Sequence, residues 1–320
     1  MEHISESNTT AIEKLRTGQD EQASAVSTLK PAAKGNRWLI LLSLASLYLF
    51  WGMTYLGMRI GMNGFPPFLL IGIRFLVAGS ILYAVLRVRG APAPKRSEWI
   101  GAGIIGILLL VGGNGGVIYS EQWVATGVAA VGIAAVPLWT ALFSGLWGLW
   151  PTRKEWLGLS IGFVGVILLN LGHGLWGNPE GAIALLIAPL CWALGAAWSR
   201  HISLPAGLMS SAVEMLVAGG VLIVLSLALR EHVPNLKNTE SLLALVFLIV
   251  FGSLVAFSAF GYLLRTVRPA LATSYAYVNP LVAIGLGVLL VGEQLTLVEG
   301  LAVMIILSGV ALVSLGRQRA

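Results

Sequence analysis

The sequence predicts an all-α integral membrane protein, with ten transmembrane helices arranged as two inverted five-helix repeats. Three observations predict this fold. First, 57% of the 320 residues are hydrophobic and only 11% are charged, where a soluble domain carries about 25% charged residues. Lipid is therefore the solvent for most of the chain. Second, ten apolar runs have lengths near the ~20 residues a helix needs to cross a bilayer. Third, landmarks of the first half recur in the same order in the second.

The chain begins with a polar stretch, residues 1–37, rich in Ser, Thr, Gln and Glu. It lacks the apolar area to fold alone and reads as a disordered cytoplasmic tail. It is not a signal peptide, because no apolar core follows a short basic start. Ten apolar runs come after it: Trp38–Met58, Phe68–Leu86, Trp99–Ser120, Trp123–Trp150, Trp156–Leu171, Gly181–Ser199, Gly207–Leu229, Ser241–Leu264, Ala270–Val291 and Leu297–Leu315. Every backbone N–H inside the bilayer must be bonded internally, and these runs are apolar on every face, so they are helices and not barrel strands.

Lys and Arg set the orientation. With a cytoplasmic N-terminus, 16 of the 20 basic residues fall in inside segments and three in outside loops, Arg59, Arg230 and Lys237; Arg74 lies within the second span. The positive-inside rule then places both termini in the cytoplasm, which requires an even number of spans. The same distribution accounts for the net charge of +6. Basic clusters alternating with long apolar runs are orientation signals, so nucleic acid is not an expected partner. The one cysteine, Cys191, excludes an intrachain disulfide.

Comparing residues 38–172 with 181–316 reveals the repeat. Trp51 matches Trp192 at an offset of 141, and Leu76–Gly79 matches Leu216–Gly219 at 140. Pro137 matches Pro280 at 143, and Gly165–Gly172 matches Gly309–Gly316 at 144. Five helices per half is an odd number, so the second half inserts upside down. Inverted repeats supply two related conformations, one open to each side of the membrane.

The run Ala272-Thr273-Ser274-Tyr275-Ala276-Tyr277-Val278-Asn279-Pro280, followed by a Gly-rich helix ending in Gly292-Glu293, resembles the second repeat of the drug/metabolite transporter superfamily, EamA type. Trp51-Gly52-Met53-Thr54-Tyr55, Pro66-Pro67 and Arg74-Phe75 resemble its first repeat. The resemblance covers residues 38–316. It implies a ten-helix exporter whose cavity is built mainly by helices 1, 3, 4, 6, 8 and 9. It also implies a solute class of amino acids or related metabolites and a place in the bacterial inner membrane.

Candidate site residues follow from chemistry inside the spans. Pro137, Pro189 and Pro280 cannot donate a backbone hydrogen bond, which frees the carbonyls of Ile133, Leu185 and Ala276. The repeat-related pair Pro137 and Pro280 are candidate hinges. Tyr48, Trp51 and Tyr55 share one face of the first helix. Trp139, Trp192, Ser253 and Phe257 are candidate cavity residues on later helices, as is Asn114, whose alternative role is an interhelical bond. On the ninth span Tyr275/Asn279 and Thr273/Tyr277/Pro280 form two polar stripes. Tyr275 and Tyr277 stand about 200° apart, so the two stripes do not both face a cavity. Aromatic walls suit amphipathic or cationic solutes; their alternative is packing. Ionisable groups inside a membrane are functional candidates by default, which singles out Arg74 and Glu214 for coupling. Glu214 is a candidate proton carrier, with a satisfied structural carboxylate as its alternative. Glu121, at the outer end of the third span, is a candidate for meeting a solute amine, against the alternative of an exposed loop acid.

Several signals are set aside. Gly101-Ala102-Gly103-Ile104-Ile105-Gly106 fits a nucleotide fingerprint but lies in a span with no preceding strand, and no Walker A sequence occurs. His3, His173, His201 and His232 have no metal-ligand spacing. No cofactor or metal is expected. The expected partners are a small-molecule solute and the lipid bilayer, with monomer and homodimer both open. The function expected is secondary export of small metabolites by alternating access. The alternatives are a membrane-embedded enzyme, for which no acid–base cluster is present, and a non-transporting scaffold.

Overall fold

The computed structural model describes residues 36–123, 129, 132–169, 179–232, 234–286 and 297–314. The tail, the start of the fourth span, the ends of the fifth and ninth spans and Gly292-Glu293 lie outside them. By its contacts the chain divides into Met1–Asn36 and Arg37–Ala320, and the helices described below belong to the second.

The described residues form helices and no strand. They are α1 (Arg37–Gly61), α2 (Pro67–Val88), α3 (Arg96–Ser120), α4 (Val136–Gly145), α5 (Arg153–Leu169), α6 (Pro179–Trp198), α7 (Leu208–Ala228), α8 (Thr239–Thr266), α9 (Tyr275–Leu286, preceded by the short turn Pro269–Ala272) and α10 (Leu297–Ser314). Six of them, α1, α2, α3, α6, α7 and α8, are long and apolar enough to cross a membrane. Parts of α4 and α10, Val136–Gly145 and Gly300–Val313, are shorter apolar helices. Large apolar side chains point outward all around the bundle, among them Leu227 (71% exposed), Met304 (67%) and Leu297 (82%). Water would not tolerate so continuous an apolar surface; lipid does.

Starts and stops are locally encoded. Pro67 opens α2 and Pro137 falls in the first turn of α4, where the missing N–H costs nothing. Thr152 and Glu155 form a reciprocal cap on α5, with Thr152 N donating to Glu155 Oε2 (2.7 Å) and Glu155 N to Thr152 Oγ1 (3.2 Å). The α2 start is capped from across the molecule. Glu231, just past α7, accepts from Phe68 N (3.0 Å) and Leu69 N (2.9 Å).

Two helix pairs tie the halves together. α2 packs along α7, and α5 along α10. These are the second and fifth helices of each half, so each helix packs on its own counterpart. Both contacts run antiparallel and are closed by glycine. A Cβ on Gly158 would sit 2.7 Å from Gly309 O, and one on Gly309 would sit 2.6 Å from Gly162 N. In lipid no hydrophobic force drives helices together, so this close backbone packing is what holds them.

The ends of the helices segregate. Where α1, α3 and α7 finish and α2, α6 and α8 begin, Arg59 bonds the Glu121 carbonyl, Tyr119 the Glu180 carboxylate, and Ser241 the Ile60 carbonyl. At the opposite end Arg268 pairs with Glu155 at 2.5 Å. There Trp147 also stacks on His201 with ring centres 4.8 Å apart.

Candidate functional site

Three helices depart from regular hydrogen bonding at matched places. α1 is π-helical over Leu47–Trp51, α3 over Ile107–Asn114 and α8 over Leu248–Val255. The α3 and α8 stretches correspond residue for residue at an offset of 141. The stretch of α6 corresponding to Leu47–Trp51 contains Pro189, which breaks the ladder by other means. π-helical insertions loosen backbone pairing and gather at functional sites. Here the stretches of α1, α3 and α6 each give a residue, Trp51, Asn114 and Trp192, to the lining of one interior space, and the α8 stretch backs Trp51.

That space is a narrow cavity lined by Trp51, Thr54, Tyr55, Met58, Asn114, Val117, Ile133, Val136, Trp192, Tyr275 and Asn279. Its free volume is about 40 Å³, room for about three waters. A second concavity of about 390 Å³ between α1 and α8 is lined by Met53, Leu56, Leu243 and Phe247. Leu56 and Leu243 are 49% and 65% exposed, so that groove faces lipid.

One wall of the cavity is an aromatic cluster. Trp51 meets Trp192 edge-on (centroids 5.5 Å apart, 84°) and Tyr275 edge-on (4.6 Å, 77°), and Phe260 packs behind all three at 5.2–5.7 Å. Each such pair is worth about 0.5–1.5 kcal/mol beyond the area it buries. Trp51 is also held by a hydrogen bond, its Nε1 donating to Gly252 O at 2.9 Å. Gly252 lies in the π-helical stretch of α8, where the irregular ladder presents this carbonyl to a side chain.

Behind that wall sits Arg74, 1% exposed. Its Nε donates to Ser253 Oγ at 2.8 Å and its guanidinium carbon lies 4.8 Å from the Phe75 ring centre. A Cβ on Gly252 would come within 2.7 Å of Arg74 Nη2, so glycine there lets the cation and the Trp51 bond occupy adjacent ground.

Polar atoms of the lining lack partners, although Thr54 Oγ1 donates to Trp51 O. Asn114 Oδ1, Asn279 Oδ1 and Trp192 Nε1 are buried with no partner. An unpaired buried donor or acceptor costs about 1–3 kcal/mol. Three converging on one space form a site that a polar ligand or water completes. The Asn279 side chain lies within hydrogen-bonding reach of Tyr55, while its Oδ1 stays open.

Related residues join the helix ends on either side of the cavity. Arg59 Nη1 at the end of α1 donates to Glu121 O, just past α3, at 2.8 Å. Arg200, just past α6, donates to Val267 O, just past α8. Arg59 and Arg200 are 141 residues apart, the offset that relates Trp51 to Trp192. At the α1/α3 end the Glu121 side chain is wholly buried and neither carboxylate oxygen has a partner.

The structure thus gathers Trp51, Tyr55, Asn114, Trp192, Tyr275 and Asn279 around one space. Tyr48 adjoins them, its hydroxyl 2.8 Å from Ser274 Oγ. Ser253 and Phe257 (1% exposed) pack behind the wall. Of the two α9 stripes, Tyr275/Asn279 faces the cavity. Tyr277 points away, donating from its hydroxyl to Leu159 O at 3.0 Å, because the 200° between the two tyrosines sends one to each side. Trp139 is 37% exposed and stacks on Phe143, on the outer face of α4. Pro137 sits beside the lining residue Val136. Pro280 lies inside α9, one residue beyond Asn279. Glu214 is 5% exposed on α7, outside the lining, with Ser210 Oγ donating to its Oε1 at 2.5 Å. Glu121 is no exposed loop acid. Thr54, Met58, Phe260, Arg59 and Arg200 were not singled out by the sequence. Thr54 and Met58 continue the helical stripe of Trp51 and Tyr55, and Phe260 lies one turn beyond Phe257, so helical spacing carried the signal for these three.

Known proteins resemble this chain. A chain of a solved crystal structure superposes with a TM-score of 0.72 at 20% identity, covering 88% of this chain and 99% of that one, a likeness of fold. The inner membrane transporter YedA of Escherichia coli K12 is 47% identical over 276 residues, spanning 86% of this chain and 90% of YedA. Protein PecM of Dickeya dadantii is 26% identical, over 82% and 88% of the two chains. The model of the EamA-like transporter family matches twice, at residues 36–171 and 179–315. The chain belongs to the EamA-like transporter family.

Proposed function

We propose that this protein is a secondary active exporter of small amphipathic metabolites, with amino acids first among them, working by alternating access in the bacterial inner membrane. In this reading it crosses the membrane ten times, as two inverted repeats covering residues 38–172 and 181–316, with both termini in the cytoplasm. The α1/α3 end then faces outward. The observation that carries the proposal is the cavity itself. Asn114 Oδ1, Asn279 Oδ1 and Trp192 Nε1 are left unpaired among aromatic rings at the junction of the two halves. The two amide oxygens suit an ammonium or hydroxyl donor, the indole N–H suits a carboxylate, and the Trp51–Tyr275 wall suits an apolar side chain.

The small free volume and the two arginine closures support assigning this conformation to the occluded state. Opening either end parts an arginine from its carbonyl, Arg59 from Glu121 or Arg200 from Val267. The π-helical stretches and Pro280, inside α9, are the places where the helices bend most cheaply, because their backbone pairing is already incomplete; Pro137 begins α4, and its hinge is the turn before that helix.

Efflux of a radiolabelled amino-acid panel from proteoliposomes, with and without an imposed pH gradient, tests the proposal. Saturable efflux of a subset, lost in Asn279→Leu, is the expected result. No movement of any member while a known exporter works in parallel would remove amino acids as the solute class.

A further inference from the structure

Glu121 lies in the turn after α3, outside the span Arg96–Ser120. Its side chain is wholly out of solvent and both carboxylate oxygens lack partners. An ionised carboxylate in such a place is costly, yet Arg59 stands beside it, bonded at 2.8 Å to the backbone carbonyl of the same residue. Arg59 is itself exposed. The opposite closure lacks this feature. Arg200 bonds Val267 O, and the position matching Glu121, at the 141 offset that relates α3 to α8, is Tyr262.

We propose that Glu121 is a proton-binding site that governs the Arg59 closure. The bound proton lets the carboxyl stay buried without partners and keeps α1 against α3; loss of the proton leaves a charge that the buried place disfavours, so the two ends part and water reaches it. One proton leaves to the α1/α3 side as the closure opens, and one is taken up from that side as it shuts. Because this closure carries an unpaired acid while Glu155 at the opposite end is paired with Arg268, proton loss biases the protein toward opening at one end. The inference rests on the transporter reading only for what the opening serves.

The chemistry around the acid fits this role. Burial pushes the Glu121 carboxyl up to about 8, partly opposed by Arg59. The other ionisable groups on the elements packed there are Tyr55 on α1, Tyr119 on α3, Glu180 on α6, Tyr275 on α9 and Glu231 at the start of α2. Glu180 accepts from Tyr119 at 3.0 Å and Glu231 caps α2. Arg59 is the group whose charge acts on the Glu121 carboxyl.

The test reads the opening directly and needs no solute. Val117 lines the cavity one turn before Glu121. In Val117→Cys with Cys191→Ser, a membrane-impermeant thiol reagent is added to right-side-out vesicles between pH 7 and 9. Labelling is divided by that of Glu121→Gln at the same pH, which cancels the rise that thiol ionisation gives both proteins. A single titration near 8 predicts a ratio that rises about tenfold across that range, because Glu121→Gln stays neutral and shut at every pH. A ratio that stays flat or falls overturns the proposal. If Glu121→Gln does not fold, difference infrared spectroscopy of the unsubstituted protein decides. A carboxylic C=O band lost with a midpoint near 8 supports it, and a midpoint near the ordinary 4.5 defeats it. Failure of amino-acid efflux would leave both readouts unchanged, so the two proposals fail separately.

Discussion

Gly79 and Gly219 face each other's helices in the same way from opposite sides of one interface. A Cβ on Gly79 would lie 2.8 Å from Leu216 N and 3.0 Å from Ala212 O; one on Gly219 would lie 2.5 Å from Leu76 N and 3.1 Å from Gly72 O. Leu216 and Ala212 are Leu76 and Gly72 displaced by 140, so the contact is reciprocal, as a two-fold relation between the halves requires. Any side chain at either glycine forces backbones apart.

Gly79→Val and Gly219→Val should therefore each destabilise the protein by about 1–3 kcal/mol, the usual cost of overpacking. Gly220→Ala is the control, because nothing stands within 4 Å of a Cβ there. Thermal unfolding in detergent checks this, and equal melting temperatures for Gly219→Val and Gly220→Ala would contradict the packing account.

The same symmetry exposes a strained turn. α2 ends with Gly90 at φ +83°, and α7 ends 140 residues later with Arg230 at φ +53°. The closing bonds match, Ala91 N to Leu86 O and Glu231 N to Ser226 O. A left-handed residue with a Cβ costs about 1–2 kcal/mol relative to one without. Arg230→Gly should raise stability by about 1 kcal/mol and leave transport unchanged. A fall in melting temperature would mean that the Arg230 side chain contributes more than its backbone strain removes.

Asn114 and Asn279 separate a ligand site from a structural one by the sign of a mutation. Their Oδ1 atoms are unpaired, so Asn114→Leu removes a standing penalty, and Asn279→Leu removes one but also the bond to Tyr55, which Asn279→His can restore. In Asn114→Leu and Asn279→His stability should hold or rise while solute affinity drops tenfold or more, about 1.4 kcal/mol. If these amides served instead as interhelical bonds, melting temperature and transport would fall together. Paired calorimetry and efflux distinguish the two.

Trp51 is held by Gly252 O, and Trp51→Phe keeps the ring stack while losing that bond. The loss is worth about 0.5–1.5 kcal/mol. A KM raised about fivefold with near-native folding is expected, because the wall loses its fixed orientation. An unchanged KM would show that packing against Phe260 and Tyr275 alone positions the ring.

Sequence revealed the class of fold and the paired tryptophans, because both rest on gross hydropathy and on rigid repeat landmarks. It did not reveal which way side chains face. A helix apolar on all sides carries no periodic signal to separate cavity from lipid, so Trp139 and Trp192 looked alike, as did Tyr275 and Tyr277. The π-helical stretches have no sequence signature beyond glycines such as Gly112, Gly113 and Gly252. Arg59 read as an outside-loop charge because its value lies in a contact with a residue 62 positions away. Glu121 read as a candidate loop acid for the same reason.

Glu214 is the remaining intramembrane acid to be placed, and its surroundings decide the expectation. Ser210 Oγ donates to Oε1 at 2.5 Å, Arg265 lies within electrostatic range, and the cavity lining does not include it. Glu214→Gln keeps an oxygen to accept from Ser210 and nearly the same volume. Gradient-driven efflux should therefore persist in Glu214→Gln, with at most a modest loss of stability from the weakened pull on Arg265. Loss of uphill efflux with passive exchange intact would instead assign the coupling proton to Glu214. The Arg59 closure would then respond to pH without driving transport.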